Sequence, residues 1–331
     1  MTVTSEGRVA LYLQDKHPIR DGMDYVRHAE EAGFEAVWQA ESRLVREATV
    51  PMSAFAAVTE RIKVGSGVVN CWTRNVGLMA ATFVTLDDLA PGRVMLGIGA
   101  WWEPLASKVG VHRERPLAAM REYIEVVRGL IAMENVTFHG AYVDVEGIEI
   151  DIVHGDRSPK HVPIYIAATT GMNMMELAGE IGDGVVLWLA APAYVREQAL
   201  PAIRRGRARA GKSLEGFEIV ASVPAALTVD RAAAAALFRT ELQRYLVLPF
   251  YRTMLEQSGF TADVQAFDRA PGPQAVSDRL VAALGGIGDF RTVSAFVTAY
   301  REAGVSLPAV RPIGFPDAPH YQPTVEAAVA A

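Results

Sequence analysis

KVGSGVVNCWTRNVGLMAATFVTLDDLAPGRVMLGIGAWWEP, residues 63–104, decides the reading of this chain. It holds two apolar runs, Lys63-Val64-Gly65-Ser66-Gly67-Val68-Val69 and Arg93-Val94-Met95-Leu96-Gly97-Ile98-Gly99, each carrying glycine where it ends. Between them, residues 78–89 place apolar side chains at helical spacing until Pro91-Gly92 closes the segment. Neither run alternates with polar residues, so both predict strands buried on two faces. Strand, helix and strand with that burial make a parallel unit. Glycine at the strand ends leaves the backbone open to a flat or phosphorylated ligand.

Outward from this block the rhythm continues. Strands are predicted at 8–13, 36–39, 63–69, 93–99, 162–168, 184–189, 217–223 and 307–313. Helices are predicted at 20–32, 49–60, 78–89, 115–133, 174–181, 193–210, 230–246, 249–259, 275–284 and 290–303. Residues 138–153, FHGAYVDVEGIEIDIV, alternate polar and apolar around turn glycines like a two-stranded hairpin, within an insertion at about 134–160. A helical excursion with the crossing Arg269-Ala270-Pro271-Gly272-Pro273 covers about 245–290. Eight strands, each but the last followed by helix, predict an α/β fold: a (β/α)8 TIM barrel forming one domain over 1–331. The competing open doubly wound sheet wants G-x-G-x-x-G after its first strand, where this chain has Leu13-Gln14-Asp15.

Half of the 331 residues are hydrophobic, enough to bury a core without metal or disulfide. Cys71 is the only cysteine, which makes a reducing cytoplasm the expected compartment. The polar N-terminus precedes a strand too short for a signal or a membrane span, so no membrane partner is expected. A net charge of -6 with no basic stripe argues against nucleic acid and for a small-molecule substrate. The seven histidines form no HExxH, and no metal site is expected. Nucleophilic hydrolase readings lack G-x-S-x-G, a P-loop and a base beside Cys71.

In a barrel the ligand lies at the C-terminal strand ends. Here these ends offer few acids and bases and many flat or small residues, which suits a planar cofactor. The candidates for holding it are Gln39, Glu41, Ser66, Gly67, Val68, Asn70, Gly99, Ala100, Ala168 and Leu187, with Thr169, Thr170, Gly171 and Met172. The last four join a strand to a helix and either present donors to an anion or cap an ordinary turn. Gly67 either permits an unusual peptide geometry or marks a bulge. Gln14, Trp101, Trp102 and Trp188 are candidates for the substrate pocket, the paired indoles as wall or lid. Glu103 is read as a proton donor desolvated by those indoles, or as a helix-start carboxylate. Arg43, Arg46 and Arg74 meet an anionic tail or are solvated surface.

The motifs resemble the luciferase-like monooxygenase superfamily. Within it they resemble the branch of deazaflavin (coenzyme F420)-dependent reductases typified by methylenetetrahydromethanopterin reductase. The resemblance is carried by Gly65-Ser66-Gly67-Val68 with Thr73-Arg74-Asn75, by residues 85–93 with Leu96-Gly97-Ile98-Gly99, and by Gly171-Met172 before Leu177-Ala178-Gly179-Glu180 and residues 183–187. Val37-Trp38-Gln39-Ala40-Glu41-Ser42 sits where the family has its second-strand end. The resemblance implies a homodimeric barrel with an insertion, binding a flavin or deazaflavin in its mouth. It implies a non-proline cis peptide at Gly67-Val68 under the ring, phosphate contacts from Thr170, Gly171 and Met172, and a ring wall from Gly99-Ala100. The chain departs from the family in two places. Glu41-Ser42 stands where many members carry Asp-His, and Trp101-Trp102-Glu103 replaces a Gly-rich acidic turn.

The resulting expectation is an oxidoreductase moving hydride between coenzyme F420 and a small organic acceptor, with Glu41 touching the cofactor and Glu103 delivering the proton. The alternatives are an FMN-dependent monooxygenase fed by a separate cofactor reductase, and a flavin-binding protein without turnover.

Overall fold

The computed structural model describes residues 7–14, 16–41, 44–151, 158–314 and 317–327. Asp15, Ser42, Arg43 and the last two residues of the expected hairpin segment lie outside them.

The chain begins with β1 (Ala10–Leu13), α1 (Ile19–Glu31), β2 (Ala36–Gln39), α2 (Thr49–Ala57), β3 (Lys63–Ser66), β4 (Val69–Asn70), α3 (Val76–Leu89) and β5 (Val94–Gly99). A short α4 (Leu105–Lys108), α5 (Pro116–Ile131) and the antiparallel pair β6 (Val136–His139) and β7 (Asp144–Ile148) lead to β8 (Ile164–Ala167), α6 (Met172–Ile181) and β9 (Gly184–Leu187). Next, α7 (Pro192–Tyr194) runs through one wider turn into α8 (Leu200–Arg209), followed by β10 (Glu218–Leu227). Four helices, α9 (Arg231–Leu246), α10 (Pro249–Gln257), α11 (Thr261–Arg269) and α12 (Asp278–Leu284), precede β11 (Gly286–Gly288). The described chain closes with α13 (Phe290–Glu302), β12 (Leu307–Pro312) and α14 (Tyr321–Ala327).

Pairing runs parallel around β1, β2, β3, β5, β8, β9, β10 and β12, and β12 returns to β1 through Ala10↔Ala309 and Leu11↔Val310. The expected (β/α)8 barrel is therefore the architecture. Successive side chains of a strand point to opposite faces, and here those faces are two separate cores. Tyr12, Trp38, Met95, Tyr165, Val186, Val220 and Leu307 fill the barrel interior. Leu11, Leu13, Val37, Val64, Val185 and Val310 pack outward against the helices. Large rings fit inside because glycine faces them: a Cβ on Gly65 would lie 2.8 Å from the Trp38 ring. Trp38 in turn meets Tyr165 edge-on at 5.0 Å.

Helix starts follow local chemistry. Asn75, Asp230, Ser277 and Asp289 each accept a backbone N–H three residues on, opening α3, α9, α12 and α13. The strand ends opposite the site are tied by charge. Arg8 reaches Glu35 and Glu218, each at 2.5 Å, and Lys63 reaches Glu35 at 3.0 Å.

Four local expectations are corrected. The run 63–69 is two strands, because the backbone leaves the ladder at Gly67-Val68 and rejoins it at Val69↔Ile98. The seventh barrel strand continues to Leu227, since β11 pairs with its last three residues and extends the sheet there. Neither β11 nor α11 was expected. No helix of the described residues is long and apolar enough to cross a membrane.

Candidate active site

At the C-terminal end of the barrel the backbone between β3 and β4 turns through a cis peptide at Gly67-Val68. The peptide geometry implied for that bond is therefore present. Tyr12, from β1, donates its hydroxyl to the Gly67 carbonyl. A Cβ on Gly67 would stand 2.8 Å from that hydroxyl, so only glycine lets the ring and the peptide meet. Val68 packs against the interior cluster. A Cβ on Gly99 would lie 3.1 Å from Val68 and 3.3 Å from Ala167. Gly67, Val68, Gly99 and the end of β8 thus form one continuous wall without a polar side chain.

Trp188, half-buried just beyond β9, stands 5.1 Å from Tyr12, and its backbone N–H donates to Thr169 Oγ1 at 2.8 Å. The fully buried Arg311 lies over the Trp188 ring, 5.1 Å from its centre, and donates to Gln14 Oε1 at 3.3 Å. The structure therefore gathers Gln14, Gly67, Val68, Gly99, Thr169 and Trp188 from the residues expected in the site. It adds Tyr12 and Arg311, which were not expected. A lone arginine in the otherwise apolar run Leu307-Pro308-Ala309-Val310-Arg311 was the available signal for one of them.

The N-terminus of α6 lies beyond β8. Gly171 is exposed, no side chain caps the helix, and a Cβ at Gly171 would meet only Met174, at 3.8 Å. Thr170 and Met172 flank it half-buried, while Ala168 is buried beneath. An uncapped helix start exposes backbone N–H groups and the positive end of the helix dipole, which suits an anion.

Other expected residues do different work. Gln39 and Leu187 alternate with Trp38 and Val186, so they face the helix layer with Val37 and Val185; Gln39 Nε2 bonds Ala40 O at 3.0 Å. Ser66 Oγ donates to Gly97 O at 2.8 Å and accepts from Gly97 N at 2.9 Å, joining β3 to β5 where the ladder is interrupted. Asn70 Oδ1 accepts from Trp72 N and Thr73 N, both at 3.0 Å, and shapes the turn after β4. Ala100 is buried, and its carbonyl accepts from Trp72 Nε1 at 2.9 Å and Arg113 Nε at 2.6 Å.

The two expected acid–base residues are corrected. Glu41 accepts from Arg74 Nη1 and Nη2 at 2.8 and 2.7 Å and from Ala48 N at 3.1 Å, so its charge is already met. Those carboxylate bonds hold the Arg74 guanidinium above its ordinary pKa. Arg74 is thereby engaged within the protein, and Arg46 donates to His17 O at 2.5 Å, so neither is plain solvated surface. Glu103 is exposed and accepts from Ser107 N and Oγ at 3.2 and 2.7 Å. That is the helix-start role. Trp101 and Trp102 are half-buried rather than exposed. Burial pushes the Cys71 thiol up to about 12, which leaves it unreactive. Among the described residues no group of three His, Cys, Asp or Glu is placed to hold a metal ion.

Comparison with known proteins shows the family and the fold. The chain is 32% identical to 5,10-methylenetetrahydromethanopterin reductase of Archaeoglobus fulgidus over 239 residues, 72% of this chain and 70% of that one. It is also 32% identical to the enzyme of the same name from Methanolobus tindarius, over 66% of this chain; the match spans a little under two thirds, 64%, of that relative. The solved coenzyme F420-dependent tetrahydromethanopterin reductase of Methanopyrus kandleri shares the fold, with a TM-score of 0.83 at 23% identity over 97% of both chains. The family model for luciferase-like monooxygenases matches residues 1–307, and the chain belongs to that family.

Proposed function

We propose that this protein transfers hydride between coenzyme F420 and a small organic acceptor. The observation that carries the reading is the pairing of an apolar wall at Gly67-Val68 and Gly99 with an uncapped helix start at Gly171 across the same end of the barrel. The similarity to reductases named for that coenzyme supports it. The residues present fit such a group: the glycines leave room for a flat ring, and the α6 start offers N–H donors to an anionic tail.

When bound and reduced, the coenzyme supplies the hydride, and the acceptor takes a proton from solvent or a side chain. Tyr12 holds the Gly67 carbonyl and so fixes the wall. Trp188 and Tyr12 supply aromatic surface for an acceptor and keep water from it. With Glu41 paired and Glu103 exposed, neither is assigned the proton.

The homodimer implied by the resemblance belongs to the same proposal. The half-buried to exposed side of α2 and α3 carries Val50 and Leu78 among the small uncharged residues Ser53, Ala54, Ala81 and Thr82. A light-scattering mass of two chains supports it, and a mass of one chain contradicts it.

Gly171→Asp tests the cofactor placement. A carboxylate at the start of α6 repels an anionic tail, and fluorescence titration is expected to show coenzyme F420 affinity reduced by about tenfold or more. Undiminished affinity removes the α6 terminus from the site.

A further inference from the structure

Arg311 has no part in cofactor binding as described above. It lies on β12 and shares the face of Leu307 and Ala309, whose side chains fill the barrel, so its own side chain enters the barrel near the C-terminal end. It is 0% exposed. One end of the guanidinium is held: Nη1 donates to Gln14 Oε1 at 3.3 Å and lies 2.5 Å from Glu241 Oε1 on α9. The opposite edge, Nε and Nη2, has no hydrogen-bond partner. Burying an N–H donor without an acceptor is costly, so two such donors side by side mark a place for an acceptor.

The free edge also limits the acceptor. Nε and Nη2 carry parallel N–H bonds in the side-on fork, whose spacing matches the two oxygens of a carboxylate. The same guanidinium lies over Trp188, which meets Tyr12, which bonds Gly67. The fork therefore belongs to the side-chain layer that ends on the apolar wall. Ser222 Oγ, 1% exposed and also without a partner, is on the neighbouring β10 strand opposite Ala309.

We propose that Arg311 anchors a carboxylate of the acceptor. The substrate is then an organic acid whose carboxylate takes the Nε/Nη2 edge and whose reducible group reaches past Trp188 and Tyr12 toward the Gly67-Val68 wall. The role of that acid as hydride acceptor rests on the function proposed above, but carboxylate binding at Arg311 does not.

Benzoate and its neutral isostere benzamide are the probes, titrated calorimetrically into the full-length protein. Saturable benzoate binding is expected, with benzamide weaker by about tenfold or more, and Arg311→Lys should lose about tenfold for benzoate because lysine cannot present the fork. Far-UV circular dichroism like that of wild type is the check that Arg311→Lys is folded. Absent benzoate binding, or equal binding of benzoate and benzamide to the wild type, overturns the proposal without any variant. So does a folded Arg311→Lys that binds benzoate as tightly as wild type. Benzoate binding by a protein that refuses coenzyme F420 upholds the carboxylate site and contradicts the hydride-transfer reading instead.

Discussion

Arg74 bonds Glu41 through both Nη atoms and Glu47 through Nη2 at 2.5 Å, while Glu41 also receives the Ala48 amide. The two carboxylates and the arginine thus brace the loop between β2 and α2 against the turn before α3. Glu41→Gln keeps the shape and removes the charge, leaving a largely buried arginine with Glu47 alone. Urea unfolding is expected to show a loss of about 2 kcal/mol, below the cost of breaking a fully buried pair, with turnover per folded molecule preserved. Unchanged stability with lost turnover would return Glu41 to the chemistry. The same scale explains which site residues were legible in the sequence. Glycines announce bare walls: Gly67, Gly99 and Gly171 all lie at C-terminal strand ends or the helix start that follows one. Gln39, Ser66 and Leu187 were misplaced because proximity to a strand end does not say which face a side chain takes. Strand parity does: each shares the face of an outward valine, at 37, 64 or 185. Tyr12, inside by the same parity, escaped notice because an aromatic residue in a first strand reads as core.

At the scale of elements, apolar runs revealed the eight barrel strands, since burial on both faces leaves no polar alternation to confuse them with surface hairpins. Elements lacking such a run stayed hidden. The strand β11 is only Gly-Ile-Gly and exists because the end of β10 offers it a partner. α11 follows Phe260 with no side-chain cap to mark its start. The strand ends opposite the site carry a different kind of information, about pH. Burial pushes the Glu35 carboxyl up, but hydrogen bonds from Arg8 and Lys63 outweigh it and leave the pKa below its ordinary 4.5. A carboxylate lowered in this way stabilises the fold above its unfolded pKa, and that contribution disappears as pH falls through the folded value. Thermal melts should therefore drop as pH is taken from about 6 to below about 4. Glu35→Gln should melt lower at the higher pH and lose less on acidification. An acid sensitivity equal to wild type would show that this network does not contribute.

For the whole molecule, the barrel separates its two ends by chemistry. Charged side chains tie the N-terminal strand ends of β1, β2, β3 and β10 to one another, while the C-terminal ends present a cis peptide, bare glycines, aromatic rings and one buried arginine edge. The first arrangement closes a barrel, and the second is where we propose that a planar ring binds with an acid beside it. That division makes the choice of cofactor the central claim. The most direct measurement is to titrate the purified protein separately with coenzyme F420 and with FMN, reduce each mixture, and admit oxygen while following absorbance and oxygen uptake. Saturable binding of coenzyme F420 is expected, with a reduced complex that persists in air until an acceptor is added. Binding of FMN alone, with rapid oxygen consumption after reduction, would contradict it.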